Sequence, residues 1–146
     1  MLGVSGVITV PTTPPIDPMT NGIRLVYRDR AGIVFDTLIS GGAYDPATRP
    51  GWTAKGGSFK YVDQSGASHV STVVLKASAS VAGQYKVNVK GRNGSYAASS
   101  LPVQVGVILD PPNAVSGQCG EWRFPTLPPA APSCMLNAIG SVMRCR

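Results

Sequence analysis

The chain has 146 residues, one domain's worth, with 17 glycines and 13 prolines. Its 17 valines, 7 isoleucines and 9 threonines against 8 leucines and 4 methionines favour pleated sheet and exclude a helical bundle. Charged residues make up only 14%, well below the roughly 25% of an ordinary soluble domain, and the net charge is +6. The cations are scattered, and the densest run, Arg28-Asp29-Arg30, is interrupted by an acid. A nucleic-acid interface concentrates its cations on one element with aromatics between them, so no nucleic-acid partner is expected. A positive surface still favours polyanionic surroundings such as an acidic cell envelope.

In chain order, Val4, Gly6, Ile8 and Val10 alternate with Ser5, Val7 and Thr9, which predicts a short strand that pairs either at home or with a neighbour. Residues 11–19 hold four prolines and read as an extended linker without helix, so residues 1–19 form a strand-like segment plus linker and 20–146 the main domain. Ile23, Leu25 and Tyr27 alternate with Arg24, Val26 and Arg28 as a half-buried strand. Residues 33–39 are apolar on both faces, which predicts a central strand. Further strands are expected at 59–62, 70–76, 84–90 and 103–109, and Asn93-Gly94 reads as a tight turn. The tail offers 121–124, a Pro-rich stretch at 125–132 and a hairpin from Cys134 to Cys145. The spacing predicts an all-β fold, an antiparallel β-sandwich of about eight to ten short strands, immunoglobulin-like or jelly-roll-like.

Three cysteines, Cys119, Cys134 and Cys145, allow at most one internal pair. A disulfide fastening the tail is expected, as suits an oxidising compartment, with Cys134 and Cys145 the nearest pair in sequence. No stretch approaches the roughly 20 apolar residues needed to span a bilayer. The first ten residues lack a positive n-region, as expected if a leader has been removed or the chain ends a longer exported protein.

Catalytic chemistry has little to draw on. His69 is the single histidine, and Asp63 and Ser71 are its nearest triad partners, without a nucleophile elbow. Asp17 and Asp45 precede prolines and read as turn caps, which leaves Asp36 and Glu121 as the candidate inward acids. No calcium loop or zinc cage is present, so no metal, cofactor or enzymatic activity is expected. Trp52, Tyr61, Trp122 and Phe59 are candidates for a sugar-stacking platform, although aromatics more often belong to the core.

Several motifs combine into a known layout: Pro14-Pro15-Ile16-Asp17-Pro18, Gly42-Ala43-Tyr44-Asp45, Arg49-Pro50-Gly51-Trp52, Gly83-Gln84-Tyr85-Lys86-Val87, Gly117-Gln118-Cys119-Gly120-Glu121 and the terminal Met143-Arg144-Cys145-Arg146. Together they resemble an uncharacterised β-rich domain found near the C-termini of exported bacterial proteins. The resemblance implies a secreted or cell-surface accessory module and carries no active site with it. The expected function is therefore a non-catalytic structural or interaction module of the bacterial surface or an extracellular assembly. Val4, Val7, Ile8 and Val10 are the candidate self-association strand, added to a neighbour's sheet edge, with copies of the chain or other surface proteins as partners. The alternative is a carbohydrate-binding module that stacks a glycan on Trp52, Tyr61 or Trp122.

Overall fold

A computed structural model describes residues 1–48, 50–124, 134–136 and 143–145, the last two stretches by their strand pairing alone. The strands are β1 (Leu2–Thr9), β2 (Ile23–Asp29), β3 (Gly32–Ile39), β4 (Gly51–Lys55), β5 (Ser58–Val62), β6 (Val70–Ala77), β7 (Gln84–Gly91), β8 (Val103–Ile108), β9 (Cys119–Phe124), β10 (Cys134–Leu136) and β11 (Met143–Cys145). They form two sheets, a seven-stranded one in the order β10-β11-β1-β7-β6-β5-β4 and a four-stranded one in the order β3-β2-β8-β9. Every pairing is antiparallel except β1 with β11. The expected β-sandwich is the observed fold.

The period-two pattern fixes which side of each strand meets the core. Ile23, Leu25 and Tyr27 of β2, Val103, Val105 and Val107 of β8, Val73 and Leu75 of β6, and Val87 and Val89 of β7 are all buried between the sheets. Trp52 is completely buried, its Nε1 donating to the Ser40 carbonyl at 3.0 Å, with its ring 5.3 Å from that of Tyr61.

Two sequence expectations need correction. The proline-rich segment contains a one-turn helix, α1 (Pro18–Asn21). Pro18 suits the first helical position because its missing N–H is unpaired there anyway, and Asp17 Oδ1 accepts from the Met19 and Thr20 amides. Residues 33–39 lie in β3, which is an edge strand and not a central one. Asn93 takes the left-handed φ of 61° expected of a turn. Residues 92–102 cross from one sheet to the other, anchored by the Tyr96 hydroxyl, which donates to the His69 carbonyl and lies close to that of Arg92.

The expected disulfide is not seen among the described residues. Among the described residues no cysteine pair stands at disulfide distance, and Cys119 is a free, exposed thiol on β9. Backbone register sets Cys134 opposite Cys145, while their side chains, like the Pro-rich stretch 125–132, lie outside the described residues.

Candidate functional site

The N-terminal strand belongs to its own sheet. β1 pairs along its whole length with β7, and Leu2–Val4 also pair with β11. Val4, Ile8 and Val10 are buried, and Val7 points outward, 53% exposed. The remaining half of β1 is locked to β9 of the other sheet. Trp122 lies over Gly6 and donates from Nε1 to the Val7 carbonyl at 3.1 Å, while Ile8 lies over Gly120. Val4, Val7, Ile8 and Val10 therefore do not form a free strand in the folded chain.

Of the four candidate sugar-stacking aromatics, Trp52 and Tyr61 meet ring against ring inside the core, Phe59 packs against that core, and Trp122 stands apart from them, so no exposed platform forms. Trp52 and Tyr61 are core residues, and the half-buried Trp122 closes the seam between β1 and β9.

The acids are each committed to local structure. Asp17 caps α1, and Asp45 accepts from the Ala47 amide and the Thr48 hydroxyl. Asp29 holds the Ala31 and Gly32 amides with one oxygen and Ser99 and Ser100 with the other. The Ser99 hydroxyl, with the surrounding amides, lowers its pKa to about 2. Asp63, only 1% exposed, binds Ser65, Gly66 and Ser68. Burial opposes its charge, but these donors outweigh that and bring its pKa down to about 2. Its oxygens are thus spent on the loop before the exposed His69, and no triad forms. Asp110 accepts from Ser116.

Asp36 and Glu121 point outward, contrary to expectation. Paired residues in adjacent strands share a face, so the outer side of the four-stranded sheet can be read in rows. One row runs Leu38–Arg24–Ile108–Cys119, and the next Asp36–Val26–Gly106–Glu121. Arg24 binds Asp36 with both fork nitrogens, at 2.9 and 2.6 Å, and this hydrogen-bonded pair holds the Asp36 carboxyl below the usual carboxylate range. Arg28 binds Glu121 at 2.8 Å. Beside them an open cleft of about 630 Å³ is lined by Arg28, Arg30, Gln104, Arg123 and Ile33.

The feature without a structural explanation is the β3 edge. Ile33 and Leu38 are 67% and 55% exposed, and no hydrogen bond to the outer edge of β3 is seen among the described residues. The pairing bulge lies between Tyr27 and Arg28, toward the Gly32 end, so Phe35–Ile39 stay in regular register. Natural edges are blunted by Lys, Pro, bulges or covering loops. β4 carries Lys55 and is covered at Trp52, which exchanges backbone hydrogen bonds with Gly42 and Tyr44. β9 carries Glu121 and Arg123 and is closed against β1 through Trp122. β3 has no Lys, Arg or Pro, and its one acid is neutralised by Arg24.

No family model, curated protein or solved structure matches this chain.

Proposed function

We propose that this domain is a non-catalytic structural or interaction module that assembles with copies of itself at the β3 edge, as part of an extracellular or cell-surface assembly. The observation that carries the reading is the edge of β3, unpaired among the described residues, regular from Phe35 to Ile39 and bearing Leu38. Two copies related by a two-fold axis extend the four-stranded sheet antiparallel, exchanging main-chain hydrogen bonds. The Arg24–Asp36 pair keeps the edge close to neutral, so the copies do not repel one another there. The commitment of every acid to a cap, loop or ion pair supports the non-catalytic reading. The secreted or surface setting rests on the family resemblance of the sequence.

Light scattering across a concentration series tests the proposal. The native chain is expected to approach twice its 15.2 kDa mass, and Leu38→Lys, at an exposed position, is expected to remain monomeric with unchanged circular dichroism. A native chain that stays monomeric throughout, or a Leu38→Lys variant that still dimerises, refutes it.

A further inference from the structure

The chain has five lysines, and register places all of them on one surface, the outer face of the seven-stranded sheet. Lys86 and Lys90 of β7 alternate with the buried Val87 and Val89. Lys76 of β6 stands directly opposite Lys86. Lys60 of β5 pairs with Val74, and Lys55 of β4 pairs with Ser58. All five are exposed. None of β1, β4, β5, β6 and β7 contains an Asp or Glu. The ion pairs among the described residues, Arg24–Asp36 and Arg28–Glu121, belong to the opposite sheet.

The geometry is that of a compact cationic plate. Four residues of strand separate Lys86 from Lys90, about 13 Å, and β4 lies three strand spacings from β7, about 14 Å. Lys76 and Lys86, directly opposite on adjacent strands, lie within the roughly 8 Å Debye length of physiological ionic strength, so their fields add toward a single partner. Lys76 facing Lys86 is a like-charge cross-strand pair, an arrangement that works against the fold.

We propose that this face binds an acidic polysaccharide. Charge complementarity requires a polyanion, and lysine ammonium groups act as point charges on sulfates, phosphates or carboxylates without the planar fork of arginine. The side chains between the lysines narrow the class. Thr53, Thr72, Asn88 and Ser5 share the face and offer hydrogen bonds to hydroxyl groups. None of the strands β1, β4, β5, β6 and β7 places an aromatic residue on it for bases to stack upon or to anchor it in a bilayer interface. The site is independent of the β3 edge, which lies on the other sheet.

The test compares two charge-matched triple variants in binding to polygalacturonate and dextran sulfate. Lys60→Gln/Lys76→Gln/Lys86→Gln is expected to weaken binding roughly a hundredfold, from about fivefold for each lysine near an anionic surface. Arg28→Gln/Arg30→Gln/Arg123→Gln, on the opposite face, is expected to change it less than about threefold, and about 1 M salt abolishes binding by the native chain. Absence of binding by the native chain, or equal loss in both variants, overturns the proposal. A greater loss in the arginine variant moves the site to the cleft and also overturns it. Duplex DNA or phosphatidylserine vesicles bound as tightly as the polysaccharides refute the polysaccharide assignment. Light scattering on the same samples reports the β3 assembly separately, so either proposal can fail alone.

Discussion

The seam between β1 and β9 makes a quantitative prediction. Gly120 faces inward opposite Val107, and a Cβ placed on it would lie 2.9 Å from Ile8 Cβ and closer still to Ile8 Cγ2. Ile8 is branched at Cβ, only 5% exposed, and backed by Tyr85 across the sheet, so it has little room to withdraw. Gly120→Ala therefore overpacks the seam and is expected to cost about 1–3 kcal/mol. For a chain of this length that lowers Tm by about 2–4 °C per kcal/mol. Urea unfolding should show a lower midpoint with an unchanged slope.

A double-mutant cycle separates overpacking from a general effect on the strand. Ile8→Ala alone removes a buried side chain and is expected to cost about 2–5 kcal/mol. Adding Gly120→Ala to it places the new methyl in the space Ile8 has vacated. The pair should then be more stable than additivity by about 0.5–3 kcal/mol. A Gly120→Ala cost below about 0.5 kcal/mol, or additive behaviour in the cycle, refutes the interlock. It would also leave Trp122, over Gly6 and bonded to the Val7 carbonyl, as the side chain that holds the second half of β1 against β9.

Two further predictions concern buried polar groups. Asp63 has a native pKa of about 2, below the roughly 3.9 of the unfolded chain, so it stabilises the fold above about pH 5 and loses that contribution as pH falls toward 2. The amount is about 2 kcal/mol, and the gap in unfolding free energy between the native chain and Asp63→Asn, followed by urea titration, should close across that range. Trp52→Phe keeps most of the ring but leaves the Ser40 carbonyl without its donor, for an expected loss of about 1–3 kcal/mol by thermal melt. A loss no greater than that of Tyr61→Phe, whose hydroxyl makes only a 3.4 Å contact with Ser68, would show that this hydrogen bond carries no special weight.

Most of the sandwich was legible in the sequence because strands buried on one face write alternation directly. Gln84–Gly91 shows this most plainly, with Val87 and Val89 inward and Lys86, Asn88 and Lys90 outward. β4 carries no such signal, because only its first residues are buried and no alternation survives in five positions. β3 was misplaced because a strand apolar on both faces reads as central, whereas its second apolar face is in fact exposed. The one-turn helix was missed because four prolines outweighed the Asp17–Pro18 start signal. The lysine face was illegible for a different reason. Its members are spread from position 55 to 90 over four strands, and only cross-strand register makes them neighbours. Low overall charge concealed how unevenly the charges are distributed.

The two proposed surfaces make a joint prediction. An antiparallel pairing of two β3 edges turns one copy about an axis perpendicular to the sheet, so both copies present the same layer to the same side. The two lysine plates then face one direction, and a polymer long enough to reach both binds with gains in avidity on the order of 10²–10⁴. Leu38→Lys, which adds a positive charge but should abolish pairing, is therefore expected to weaken binding of long polygalacturonate chains while leaving short oligomers unaffected. Surface plasmon resonance with chains of graded length measures this directly. Equal effects on short and long chains would show that the lysine plates act singly, and that assembly at β3 serves some other end.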